Sequence, residues 1–351
     1  MAWETYKDTH DIYLDPPTAP TSFDTPPAIP AACTTQAAAM NQATVRVLTM
    51  TSKFDDVVRS VEQADGNRLI DQNGENVWYE IKLNRAYYDF VVKNEYYNSA
   101  NQKGKTIVFP WSSNTLSTVP PVKVKVAWKV MGDPGSRQPD DPKRFYTVNA
   151  LVLDPATKEC RPRTLGLVGM HIVMKTNLLP QWLWATFEHV DNAPDQATGP
   201  VRGRKYNFFS AQCAGCPLNT PPSSPQSKQP TQVVRVTQIN GEAAAATAAY
   251  KAALMSLRLD NVWQNYMLVD AQWAGTRDNI GVPSQPKFLA NTTLETYMQK
   301  PAGDDGCINC HGKYAAQTDL DFQLTNAYPR PPARAVEVLR VPGVRLGTKA
   351  E

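Results

Sequence analysis

Val122-Lys123-Val124-Lys125-Val126-Ala127-Trp128-Lys129-Val130 alternates apolar side chains with lysines. Successive side chains of a strand point to opposite faces, so this spacing predicts a strand over 121–131 with one apolar and one basic face. The basic face is expected to be solvated, as charged faces that resist aggregation are. Phe145 to Leu153 alternates in the same way. Leu165 to Met174 is nearly all apolar, as expected of a strand buried on both sides. Together, 120–175 reads as the centre of a mostly antiparallel sheet.

Outward from that centre, Val77-Trp78-Tyr79-Glu80-Ile81 is a further strand after the turn Asp71-Gln72-Asn73-Gly74, and Val233 to Val236 a short one. Helical spacing of apolar residues predicts helices at 53–64, at 85–97 and from Trp182 to His189. The Ala-rich stretch from Glu242 to Leu259 is helical, and Trp263, Tyr266 and Met267 continue the pattern. Thr292-Thr293-Leu294-Glu295 has the form of a capping box and opens a short helix to Gln299. The expected fold class is α+β. Residues 1–40 form a Pro-rich arm and 41–212 a mostly antiparallel β body with flanking helices. An irregular connection, 213–232, leads to a mainly helical region, 233–330, and a tail, 331–351.

The 351 residues suffice for one large domain or two ordinary ones. A net charge of +3 is too mild to argue for a nucleic-acid partner. No apolar run is long enough for a membrane-spanning helix. Six cysteines stand at Cys33, Cys160, Cys213, Cys216, Cys307 and Cys310. Four of them can pair as disulfides in three ways. Cys213-Ala214-Gly215-Cys216-Pro217 is read as part of a structural disulfide, with a redox-active dithiol as the alternative.

Cys307-Ile308-Asn309-Cys310-His311 has the pattern of covalent haem attachment. Two thiols three positions apart can add across the two vinyl groups of one haem, and the adjoining histidine can ligate its iron. The motif resembles that of the c-type cytochromes, which implies one covalently bound haem c, thioether bonds from Cys307 and Cys310, and His311 as proximal iron ligand. Val168-Gly169-Met170-His171, Pro180 to Trp184, Thr186 to Asn192 and Leu289 to Tyr297 resemble large mono-haem bacterial "cytochrome c family" proteins without an assigned reaction. Haem attachment outside the cytoplasm implies a periplasmic or otherwise exported protein. Since the N-terminus has no apolar core, a signal peptide is expected to have been removed.

After His311 there is no further Met, His or Cys, so any distal ligand has to come from upstream. His171 and His189 are the two main candidates, with His10 behind them. Gly169, on the face of His171, leaves room for a flat macrocycle. Glu188 and Asp191, beside His189, are candidate proton-handling groups. Met170, Met174, Met255, Met267 and Met298 are alternative ligands. The expected function is that of a haem-dependent oxidoreductase acting on peroxide or oxygen. An electron-transfer protein with six-coordinate haem and a gas-binding module are the alternatives. The expected partner is a redox protein, which the lysine face of 121–131 could dock, or a small-molecule oxidant.

Overall fold

The computed structural model describes residues 1–40, 45–49, 67–111, 119–154, 157–176, 181–224, 227–258, 261–273, 286–300 and 306–328. Its frame is one curled sheet of eight strands: β1 (Lys7–Asp8), β2 (Val47–Leu48), β3 (Trp78–Leu83), β4 (Val122–Val130), β5 (Thr147–Leu153), β6 (Cys160–Met174), β7 (Leu183–His189) and β8 (Tyr266–Gln272). Among the described residues four short α-helices accompany it: α1 (Thr34–Met40), α2 (Arg85–Lys93), α3 (Gly241–Ser256) and α4 (Cys307–Ala315). The strands run in the order β1-β3-β4-β6-β5-β2, and β7 and β8 branch from β6. All neighbours are antiparallel except β2 with β5.

The long strand β6 explains the curl. Its first half, Cys160 to Gly166, pairs with β5, and its second half, Gly169 to Met174, pairs with β7. Strand β4 follows its other edge from Val122 to Val130, with a register shift at Ala127/Trp128. Such irregularities increase the local twist of a pair. One face of the sheet is an apolar core around Val124, Val126, Trp128, Leu165, Leu167 and Tyr266. The other face is covered by α2, by the segment 286–300 and by α4 with the turns that follow it. Its core holds Ile81, Tyr87, Phe109, Val173, Trp182 and Ile308.

Several expectations are corrected here. The fold is mostly β, and there is no helical C-terminal haem domain among the described residues. Trp182 to His189 is not a helix, because Leu183–His189 is strand β7. Tyr266 and Met267 do not continue a helix but begin β8, paired to β7. Val233 to Val236 forms no named strand, and Leu294 to Gln299 is reduced to a 3₁₀ turn, Thr296–Met298. The predicted helices at 85–97 and 242–259 are present as α2 and α3. The predicted helix at 53–64 and the tail 331–351 lie outside the described residues.

The lysine face of β4 is also corrected. Lys123 and Lys129 are buried, not solvated. Lys123 Nζ lies 3.0 Å from Asp321 Oδ1, and Lys129 Nζ lies 2.5 Å from Asp140 Oδ2. A lysine so placed needs a carboxylate, since an unpaired buried charge is too costly to keep.

Candidate functional site

The second face of the sheet carries a partly open cleft, lined both by its strands and by the segments that cover it. Its floor, Ile81, Lys125 and His171 with Lys123, Val173 and Trp184, is drawn from two rows of cross-strand neighbours. Ile81, Lys125, His171 and Thr186 form one row, and Leu83, Lys123, Val173 and Trp184 the next. Residues two apart on a strand share a face, so both rows turn the same way. One wall is α4 with Cys307, Cys310 and His311, followed by Phe322 and Gln323. The opposite wall is Leu289, Ala290, Glu295 and Met298.

The α4 wall is held by a fully buried glutamine of β8. Gln272 Oε1 accepts from the Ile308 N–H at 2.9 Å, and Gln272 Nε2 donates to Pro286 O at 2.6 Å. Gly306 precedes the helix because the approach is close. A Cβ there would stand 2.5 Å from Gln272 Nε2 and 2.8 Å from Lys287 O.

Beyond α4 the chain turns through two non-glycine residues with left-handed backbone, Asp319 (φ 55°) and Leu320 (φ 61°). Surroundings must hold such residues in place. Asp319 Oδ2 meets Lys175 Nζ at 2.6 Å and the Phe109 N–H at 2.9 Å, and Trp182 Nε1 donates to its carbonyl at 2.7 Å. The turn brings Leu320 O to 2.6 Å from His311 Nδ1. Burial, with Lys123 close by, pushes the His311 ring down to about 3, so it is neutral near pH 7. A neutral ring that donates from Nδ1 keeps its lone pair on Nε2, the arrangement that a metal-ligating histidine uses. Trp184 and Phe322 flank the ring, at 5.3 and 4.6 Å between centroids.

On the opposite wall, Glu295 takes both roles of a short bridge. Its Oε1 and Oε2 lie 2.9 and 3.1 Å from His171 Nε2, and Oε2 accepts from the Asn291 N–H at 3.0 Å. Burial raises its carboxyl, but His171, Lys125 and the Asn291 N–H together bring it below its ordinary value. His171 is buried, and its Nδ1 makes no hydrogen bond. The capping box expected at Thr292–Glu295 is not formed: the Thr292 N–H goes to Glu188, and Glu295 bonds the Asn291 N–H and His171 instead. Gly169 serves this wall, not a macrocycle. A Cβ there would stand 2.0 Å from Thr293 Oγ1 and 3.0 Å from Asn291 Oδ1.

The other predicted site residues lie elsewhere. His189 is buried with its ring stacked on Phe145 at 4.1 Å. Its Nε2 donates to Arg144 O at 2.9 Å and its Nδ1 accepts from the Asp191 N–H at 3.1 Å. Burial pushes it down to about 4. Asp191 is bound by Arg144 and Arg204. Glu188 is fully buried, 3.2 Å from Arg235 Nε, and accepts from the Thr292 N–H at 2.5 Å. It anchors the 291–295 turn and does not line the cleft. His10 is an exposed neighbour of Asp8. Of the five methionines, Met298 alone is among the lining residues. Sequence reasoning did not single out Gln272, Asp321 and Leu320, because each acts through a contact made across the fold.

No family model matches the chain, no curated protein matches it, and no solved structure matches it. Among the described residues there is also no group of three or more His, Cys, Asp or Glu placed to hold a metal ion. The resemblance to the c-type cytochromes is therefore corrected: a five-residue pattern is shared, on a mostly β fold that none of these comparisons relates to any known family.

Proposed function

We propose that the cleft takes a haem held through Cys307 and Cys310, and that the chain is a haem-dependent oxidoreductase. The observation that carries this reading is the pairing of the two walls. Cys307, Cys310 and His311 line one wall of an apolar cleft, and His171 bonded to Glu295 lines the same cleft. The chain's own groups fit such a cofactor. Neither cysteine is in a disulfide. Burial, with Glu295 and Cys310 nearby, pushes the Cys307 thiol well up, which favours a thiol over the thiolate a zinc site needs. His311 would hold the iron through Nε2, since its Nδ1 is taken by Leu320 O. When bound, a haem supplies one-electron redox chemistry and the activation of peroxide or oxygen. His171 and Glu295 hold and move a proton between Nε2 and a carboxylate oxygen. Ile81, Val173, Leu289 and Trp184 give the cleft its apolar surface.

Electron transfer is the second reading, and Met298 favours it. Its thioether lines the same cleft and is a soft ligand for iron. Two disulfides, Cys33–Cys160 and Cys213–Cys216, support assembly in an oxidising compartment, as an exported protein requires.

The test is the intact mass and the ferrous spectrum. One haem per chain, retained under denaturing conditions, is expected, and a chain without it sinks both readings. Rapid binding of carbon monoxide is expected for the oxidoreductase. A six-coordinate spectrum that carbon monoxide leaves unchanged, and that Met298→Ala alters, selects electron transfer instead.

A further inference from the structure

The two disulfides differ in what they hold. Cys33 and Cys160 are buried, and 127 residues separate them. Cys213 and Cys216 are three residues apart and partly exposed, among exposed neighbours Gln212, Ala214, Gly215 and Pro217. A cross-link stabilises a fold mainly by the loop it closes, and a four-residue ring closes little. Their loop is also fastened without the bond. At one end the Ser210 N–H donates to Gln232 Oε1 at 2.8 Å. At the other end the Asn219 N–H donates to Gln232 O at 2.8 Å, and the Asn219 side chain exchanges hydrogen bonds with Val234 at 3.0 and 3.1 Å. Both ends are pinned to one stretch, Gln232 to Val234. The disulfide is therefore spare to the fold, and both of its cysteines are partly exposed.

We infer that Cys213–Cys216 is a thiol–disulfide exchange site that takes two electrons from an external dithiol while the chain stays folded. A thiolate of the dithiol attacks one sulfur, the Cys213–Cys216 bond breaks, and the other cysteine leaves as a thiolate. The second thiol of the reagent then attacks the mixed disulfide. The dithiol ends as a disulfide and the chain as two thiols, with two electrons and two protons transferred in all. The partner is a dithiol for a physical reason. In a mixed disulfide with a monothiol, the freed cysteine sits beside the bond at high effective concentration and expels the reagent.

The full chain is titrated with dithiothreitol and, separately, with glutathione. It is then quenched with iodoacetamide, mapped by peptide mass and followed by near-ultraviolet circular dichroism. Cys213 and Cys216 are expected to label at a dithiothreitol concentration at least about tenfold below that for Cys33 and Cys160. The dichroism should not change, and glutathione should be the weaker reagent. The double variant Cys213→Ser/Cys216→Ser is expected to keep the parent's dichroism and melting. Opening of Cys33–Cys160 first, labelling of Cys213 and Cys216 only as the dichroism collapses, or a double variant that melts well below the parent each overturns the inference. The result does not depend on whether haem is bound.

Discussion

His171 and His189 stand on neighbouring strands and meet opposite surroundings. His171 pairs across the sheet with Thr186 and faces the cleft, bonded to Glu295. His189 lies three residues past Thr186, on the opposite face, stacked on Phe145 and against Tyr266. A helical reading of 182–189 placed Glu188 and Asp191 beside His189 as one proton-handling group. Strand parity separates them. Glu188 shares the face of His171, and its carboxylate is already used by Arg235 and the Thr292 N–H. The side of the sheet that a residue occupies decided which of the two histidines shares a cleft with the cysteines.

The sharpest attack on this comparison removes the cysteine wall. On the proposed reading, Cys307→Ser with Cys310→Ser is expected to abolish covalent haem altogether, read as the loss of the haem mass from the intact chain, while His189 variants leave that mass in place. Next in size is Glu188→Ala. It strands a buried Arg235 and is expected to cost about 3–5 kcal/mol in urea unfolding while the haem mass persists. A loss of haem attachment without a loss of stability would place Glu188 at the site after all.

The third test uses pH. His189 is held down from 6.5 to about 4 by burial. The unfolded chain therefore takes up a proton in that window that the folded chain refuses, and stability falls as pH drops from about 6.5 to about 4. The loss assignable to His189 is about 3 kcal/mol. Asp71 is raised by burial to about 6, so it works in the opposite sense over part of the range. The difference between the chain and its His189→Phe variant isolates the histidine. The stability gap between the two should close by that amount on acidification, and parallel profiles would contradict the burial of His189. The smallest effect is that of Gly169→Ala. Its Cβ meets Thr293 Oγ1, so the turn has to shift at a cost of about 1–3 kcal/mol. The expected readout is a changed environment at His171, seen as a shift in its ring resonances by nuclear magnetic resonance, with those of His189 unmoved.

The same contrast shows what could be read in advance. The alternation at Val122 to Val130 announced β4, and the apolar run at Leu165 to Met174 announced the second half of β6. Both signals are local and repeat every two residues. The run Leu183-Trp184-Ala185-Thr186-Phe187-Glu188-His189 carried apolar residues at both spacings. Its aromatic residues and its threonine were the strand signal, and they were outweighed by the helical match of Trp182, Ala185 and His189. The lysines of β4 had the right periodicity but the wrong environment. Periodicity tells which residues share a face and not what covers that face.

By itself, the sequence determined the pattern of two cysteines and a histidine at Cys307 to His311, because spacing along a short segment follows from covalent geometry alone. It also determined the alternation of β4 and the presence of α2 and α3, since backbone periodicity and helix propensity are local. Only the tertiary structure decided that Gln272 would clamp α4 and that Leu320 O would orient His311. It also decided that Asp321 would meet Lys123 and that Glu295 would meet His171. Each of these contacts joins residues far apart in sequence, and their meeting depends on the register of strands, the turn after α4 and the segment that covers the sheet.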